Sequence, residues 1–378
     1  LEWSIRGLLN PVITRLLIYG VNPIDVEYVL SKVESKNHLN SKSLEKSWLE
    51  EWEKKADKYT SLGVEAEKRS SSISAKEYFF YASQCWYALF LINFSSIEEK
   101  KRVYKNYSDL YKRSMSHSTS NVEYVEIPIE GNQTLSAYLH HPQKDDGSLK
   151  NCVIIYSGLG SCKEEMNTLA RPLVDRGFAV LTPDMPGNGQ TLFEKGVKCR
   201  VKTLESAFTK IPDYLESRTD IKKSAFGVYG LCMGGGYAYR AASIDKRYVG
   251  CVNFFPLFIS MIDQKTTPQW MKQGDWYSYQ VGENIPGQEF IEEMKALEAG
   301  NLSCPYLFVH GNHDNWMTID LAMTLYERAS GLKEKIIVEE EPVFSNQQFV
   351  THTMPVGEQL HWIRYEAADW MKRCIMND

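Results

Sequence analysis

The sequence predicts an α/β protein, with a mostly parallel sheet covered by helices on both faces and a helical segment ahead of it. Three observations carry this expectation. From Cys152 onward, short apolar runs alternate with stretches of helical period. Before about residue 120, apolar residues fall instead at spacings of three and four. The composition, 43% hydrophobic and 24% charged over 378 residues, is that of a globular chain long enough for more than one domain.

In the first segment, Asn10-Pro11 and Asn22-Pro23 read as helix starts, with Pro in the first turn. Ser43-Leu44-Glu45-Lys46 opens a helix whose apolar side is Trp48, Leu49, Trp52 and Ala56. Ser70-Ser71-Ser72 reads as a loop. Ser74 to Asn93 is a helix with Tyr78, Ala82, Cys85, Trp86, Leu89 and Asn93 on one face. The period then changes. Val122–Ile129 and Leu135–Leu139 alternate around a Gly131-Asn132 turn, which is a hairpin. Strands follow at Cys152–Tyr156, Phe178–Leu181, Ala225–Tyr229, Val249–Phe255, Pro305–His310 and Lys335–Glu339. Between and after them lie helices at Thr168–Arg176, Val201–Glu216, Gly235–Ser243, Ile319–Ala329 and Glu358–Arg373. The stretch from Ile259 to Asn301, with Trp270, Trp276, Tyr277 and Tyr279, breaks the rhythm and reads as an inserted cap. The expected division is a helical domain over 1–120 and a sheet domain over 121–378, with the insertion at about 260–301.

Forty-three Lys and Arg against 48 Asp and Glu leave a formal charge of -5, so no basic excess points to nucleic acid. No apolar run approaches the roughly 18–20 residues of a membrane span. The opening Leu1-Glu2-Trp3-Ser4-Ile5-Arg6 lacks the basic head, apolar middle and cleavage site of a signal peptide, so a cytoplasmic location is expected. The eight cysteines form no C-x-x-C pair, which argues against a metal centre or a disulfide framework. Seven read as buried free thiols.

Cys232 differs from them through its neighbours. The strand Ala225–Tyr229 runs into Gly230-Leu231-Cys232-Met233-Gly234-Gly235-Gly236 and then into a helix. This G-x-C-x-G permits a turn too tight for larger side chains and leaves the sulfur at its apex, where the helix amides favour a thiolate or an oxyanion. The plain alternative is a glycine-rich turn with an incidental cysteine.

A nucleophile needs a base, and the base an orienting acid. Asp314 stands just past the strand that ends at His310, where open sheets place their sites; a helix cap is its other reading. His310 belongs to the strand, and His313 reads as a loop packing residue. For the base, His352 in the loop before the last helix is favoured, with His361 inside that helix in reserve. The order nucleophile, acid, histidine matches one known hydrolytic arrangement. Oxyanion donors are expected at the amide of Met233 and at Leu159, in Ser157-Gly158-Leu159-Gly160-Ser161. Asp184-Met185-Pro186-Gly187-Asn188-Gly189 reads as a structural turn on the rim.

Taken together, "YSGLGSCKEEM", "LVDRGFAVLTPDMPGNGQT", "GVYGLCMGGGYA", "YLFVHGNHDNWM" and "AADWM" resemble a branch of the α/β-hydrolases with an N-terminal helical domain. That branch holds carbon–carbon bond hydrolases of the 2,6-dihydroxypseudooxynicotine hydrolase type, proteins of the fermentation–respiration switch type and polyketide-trimming enzymes. The resemblance runs from about Glu123 to the end, and more loosely over the helices around Ala75–Asn93. It implies an α/β-hydrolase fold with a helical cap insertion, an N-terminal lid or dimerisation domain, and Cys232, Asp314 and His352 as nucleophile, acid and base. The branch normally carries serine at the nucleophile. Cys232 is therefore either a natural variant or a replaced serine; dienelactone hydrolases carry a natural G-x-C-x-G but lack so large a helical domain.

The implied reaction is hydrolysis of a carbon–carbon bond beside a carbonyl, a retro-Claisen cleavage through an acyl-enzyme. The expected substrate is an aromatic or polyketide-derived ketone, free or bound to a carrier protein. The same residues suit an ester or thioester, and a non-catalytic partner-binding protein is the third reading. Neither cofactor nor metal is expected, nor a nucleic-acid or membrane partner; a homodimer is among the expectations.

Overall fold

The computed structural model describes residues 5–36, 41–92, 96–118, 121–143, 147–158, 160–261, 287–314, 316–339, 352 and 358–376. The expected cap aromatics Trp270, Trp276, Tyr277 and Tyr279, and the oxyanion candidate Leu159, lie outside them. The chain divides into two compact units, Leu1–Ser120 and Asn121–Asp378.

The first unit holds α1 (Ile5–Ile18), α2 (Pro23–Glu34), α3 (Ser41–Lys68), α4 (Ser72–Ile92) and α5 (Ile97–Ser116). Asn22 caps α2, its side chain accepting from the amide of Ile24 at 2.9 Å, with Pro23 behind it as expected. Asn10-Pro11 does not start a helix: α1 begins earlier and runs through the proline. Leu9, Ile13 and Leu16 are buried at spacings of four and three, and this stripe carries the helix across the missing hydrogen bond. The single apolar face expected for α4 is also corrected. Every residue from Ala82 to Phe90 is buried, because α3 and α5 both pack on this helix. Trp48 on α3 meets Trp52 edge-on at 5.7 Å and donates to the Ala88 carbonyl of α4 at 3.3 Å.

The second unit is one sheet of eight strands: β1 (Val122–Ile129), β2 (Gln133–His140), β3 (Lys150–Tyr156), β4 (Ala179–Pro183), β5 (Ile221–Leu231), β6 (Tyr248–Phe254), β7 (Tyr306–Gly311) and β8 (Lys333–Val338). The helices described in it are α6 (Asn167–Val174), α7 (Gly189–Phe193), α8 (Val201–Ser217), α9 (Met233–Ile244), α10 (Gly287–Met294), α11 (Ile319–Arg328) and α12 (Glu358–Met376). Strand order is β1-β2-β4-β3-β5-β6-β7-β8. The hairpin β1–β2 and the pair β2–β4 are antiparallel, and every other pairing is parallel. The parallel strands are continuous apolar runs because both faces are covered, as Cys152 to Tyr156 shows at 0% exposure.

Strand order fixes where chemistry can sit. From β3 the chain moves outward to β4 on one side, and from β5 it moves outward to β6, β7 and β8 on the other. The crevice where the direction reverses therefore opens between the C-terminal ends of β3 and β5. Those ends lead into Ser157-Gly158 and into Cys232.

Candidate active site

Cys232 adopts φ 58 and ψ -125, a left-handed conformation that a non-glycine residue avoids. Its neighbours hold it there. The Cys232 amide donates to the Phe254 carbonyl at 3.0 Å, and its carbonyl accepts from Gly235 at 2.8 Å and Leu257 at 3.0 Å. A Cβ at Gly230 would lie 2.0 Å from the Gly234 carbonyl oxygen, and one at Gly234 would lie 2.0 Å from that of Tyr156. Only glycine at both positions lets β5 turn into α9 this sharply. The G-x-C-x-G is thus a steric requirement of the turn.

Two further residues from distant parts of the chain meet the sulfur. His352 Nε2 stands 3.0 Å from Cys232 Sγ, and His352 Nδ1 donates to Asp314 Oδ2 at 2.7 Å. Asp314 is oriented by its second oxygen, which accepts from the amides of Trp316 at 2.8 Å and Met317 at 3.1 Å. The helix-cap reading of Asp314 is corrected: α11 begins at Ile319 with Thr318 at its N-cap, and Asp314 Oδ1 instead holds the turn ahead of it, leaving Oδ2 for His352. His310 lies buried in β7 and donates Nε2–H to the Met317 carbonyl at 2.8 Å, while 3.9 Å from Asp314. His361 is exposed on α12, and His313 is exposed in the turn, which corrects its packing reading.

The electrostatics follow from burial and charge. Burial alone would lower the pKa of His352; the Asp314 carboxylate and the Cys232 sulfur overcome it and raise the value to about 10. Asp314 is held below the usual carboxylate range: burial opposes this, and the His352 charge and hydrogen bond outweigh it. Burial pushes His310 down, which keeps it neutral beside this pair. Among the other thiols, burial drives the half-exposed Cys304 up to about 12 and Cys374 up to about 11. The expectation that all seven were buried fails at these two.

A Cβ at Gly158 would stand 3.1 Å from Cys232 Cβ, so this loop runs directly against Cys232. Asn188 fixes the loop, its amide donating to Ser157 Oγ and to the Gly158 carbonyl, both at 2.9 Å. Further along this segment, Lys163 Nζ contacts Glu164 at 2.8 Å and Asp184 at 2.9 Å, and all three side chains are fully buried. Met233 is the first residue of α9, so its amide has no acceptor within the helix.

Sequence reasoning did not single out Trp316. Its indole stacks on His352 with ring centroids 4.8 Å apart and planes 18° apart. Its place two residues after Asp314 was the available signal, but spacing alone does not say where an indole points. Asn188 was read only as part of a structural turn, although an Asn between two glycines beside a strand end is a natural donor to a neighbouring loop.

The sequence model of the dienelactone hydrolase family matches residues 135–339, more than half of the chain. The chain belongs to the dienelactone hydrolase family. This dienelactone hydrolase relative is 25% identical to 2,6-dihydropseudooxynicotine hydrolase of Paenarthrobacter nicotinovorans, over 86% of this chain and 84% of that protein. The alpha/beta hydrolase ucsC of an Acremonium species is 26% identical over 68% of this chain and 54% of its own length. Hydrolase pyiE of Pyricularia grisea is 32% identical over 39% of this chain, which spans only 34% of that protein. The crystal structure of 2,6-dihydroxy-pseudo-oxynicotine hydrolase superposes with a TM-score of 0.74 at 20% identity, covering 96% of this chain and 95% of that one. Wild-type AbyA5 superposes with a TM-score of 0.60 at 15% identity, over 84% and 83%. The fold is accordingly the α/β-hydrolase fold with an N-terminal helical region, as the motifs implied. No described helix is long and apolar enough to cross a membrane.

Proposed function

We propose that this α/β-hydrolase cleaves a carbon–carbon bond beside a ketone, with Cys232 as nucleophile, His352 as base and acid, and Asp314 as the orienting carboxylate. The observation that carries the triad is the continuous line Cys232 Sγ, His352 and Asp314 Oδ2, at 3.0 Å and 2.7 Å. The bond type is supported by the match to 2,6-dihydropseudooxynicotine hydrolase, which extends over 84% of that protein.

In the proposed reaction, the Cys232 sulfur adds to the ketone carbon and the carbonyl oxygen takes the negative charge. The Met233 amide and a second donor from the 157–161 loop, Leu159, hold this oxyanion, each contributing about 3–4 kcal/mol in the transition state. The adduct then breaks its carbon–carbon bond. The carbanion needs a second carbonyl in the β position or an electron-poor ring to accept the electron pair, and His352 Nε2–H protonates it. A thioester on Cys232 remains. Water, deprotonated by His352, attacks that thioester and releases a carboxylic acid and the thiol. One water is consumed, and one ketone becomes an acid and a second product bearing a new C–H bond. A polyketide-derived or aromatic diketone, free or carrier-bound, meets these requirements.

A second reading has its own observation in Cys232. Thiolate leaves a tetrahedral adduct more readily than alkoxide, so a cysteine adduct tends to expel sulfur instead of a carbanion. An ester or thioester, with its better leaving group, suits such a nucleophile. Cys232→Ser separates the two. Carbon–carbon cleavage predicts that serine raises turnover on a β-diketone, because its adduct reverts less. Ester or thioester cleavage predicts that serine lowers turnover on an aryl thioester. A serine form inactive on every diketone tried, yet fast on simple esters, would sink the carbon–carbon reading.

A further inference from the structure

Among the described residues, the triad leaves one contact of the proposed base unexplained: the aromatic face against it. Trp316 is tied to the site twice. Its backbone amide donates to Asp314 Oδ1 at 2.8 Å, and its indole lies nearly parallel to the His352 imidazole at 4.8 Å. One residue thus fixes the carboxylate through its backbone and the imidazole through its side chain. The face of an indole carries a negative quadrupole, so a ring stacked on it is held more strongly when it is positively charged.

We propose that Trp316 is a positioning residue for His352, holding the imidazole on the line between Asp314 and Cys232 and favouring its protonated form. This rests on the reading of His352 as the base. Among the described residues, the charged and titratable groups facing the imidazole are Asp314 at 2.7 Å, Cys232 at 3.0 Å and, beyond the carboxylate, His310. Asp314 and Cys232 act in the same direction as the indole, since both raise the affinity of His352 for a proton. The neutral, buried His310 adds no opposing charge. The chemical consequence is a nucleophile standing beside a proton donor before substrate arrives, and a histidine that carries the proton a leaving carbanion must receive.

The test compares Trp316→Leu, which keeps apolar bulk without a π face, with Trp316→Phe, which keeps the face. Two readouts are used: iodoacetamide alkylation of Cys232 near about pH 6, and the pH profile of turnover on an activated thioester. Trp316→Leu should slow alkylation about three- to tenfold and move the alkaline limb of turnover to lower pH, while Trp316→Phe should stay close to the parent protein. Equal behaviour of the two variants, or lost activity with an unmoved pH profile, would overturn the proposal and leave Trp316 a packing residue. A measurement on the unaltered protein stands apart from folding of the variants. The His352 ring protons should be shifted upfield in the NMR spectrum by the indole and remain in the imidazolium form to about pH 8, well above an ordinary histidine; a neutral ring at neutral pH contradicts the proposal. Should His352→Ala alkylate and turn over like the parent, the base reading itself fails. An inert His352→Ala beside an unmoved Trp316→Leu profile removes only the role of Trp316.

Discussion

Gly234 faces the carbonyl of Tyr156 so closely that a Cβ on it would stand 2.0 Å from the oxygen. The contact joins the end of β3 to the first turn of α9, the two elements that flank Cys232. Because the neighbour is backbone, nothing nearby can swing aside. Gly234→Ala should therefore destabilise the protein by about 3 kcal/mol or more, as overpacking against a fixed wall does. Gly131→Ala is the comparison: its φ is 76 but nothing lies within 4 Å, so only the backbone conformation is strained. Urea melts of both variants measure the difference, and a Gly234→Ala no worse than Gly131→Ala would show that the elbow is looser than described.

The acid is expected to act through charge more than through shape. Asp314→Asn keeps an oxygen for the Trp316 and Met317 amides but loses the carboxylate that orients and charges His352. Turnover should fall by about three to four orders of magnitude, the scale seen when such a triad acid becomes an amide. Retained turnover in Asp314→Asn would remove the aspartate from the reaction.

The raised pKa of His352 also makes a statement about stability. Folding lifts the group from 6.5 to about 10, so its stabilising contribution is complete below pH 6.5 and disappears as pH rises through about 10. Thermal melts of the parent and His352→Ala should differ most near about pH 6 and converge toward about pH 10. A gap that widens with pH would mean that the imidazole is neutral in the folded protein. His361→Ala, an exposed change on α12, should move neither stability nor turnover by more than about 0.5 kcal/mol.

A few residues past the loop that meets Cys232, Lys163 is enclosed with two carboxylates, Glu164 and Asp184. Burial would lower its pKa, but the two acids keep it raised and charged. Lys163→Met leaves the acids facing each other without their cation, so a loss of about 3–5 kcal/mol is expected in urea melts. The milder result, a loss under about 1 kcal/mol, would show that water reaches this cluster.

Much of this site was legible in the chain because its chemistry is written in local patterns. The G-x-C-x-G between an apolar run and a helix specifies the Cys232 turn, since glycine is the only residue that clears Tyr156 and Gly234. The parallel strand β7 ends at Gly311, so Asp314 falls just past its C-terminal end. His352 is favoured over His361 because it precedes the last helix instead of lying within it, and the structure sets it beside Cys232 and Asp314 while His361 is exposed. What was not legible depends on tertiary contacts. Whether α1 stops at Pro11 is decided by the burial of Leu9, Ile13 and Leu16. That α4 is buried on every face from Ala82 to Phe90 depends on both α3 and α5 packing on it. The stacking of Trp316 on His352 joins two residues from separate loops, and no periodicity records such a meeting.

The most direct measurement is peptide mapping after brief exposure to iodoacetamide, or to a slow acyl substrate, at neutral pH. Cys232 is 8% exposed, whereas Cys304 and Cys374 are more accessible but have thiols pushed up to about 12 and about 11. Accessibility alone therefore favours the wrong cysteines, and only activation by His352 favours the right one. The expected result is a single dominant adduct on Cys232, formed much more slowly in His352→Ala. Adducts on Cys304 or Cys374 with Cys232 left free, or labelling of Cys232 that is indifferent to His352, would contradict a Cys232–His352 nucleophile.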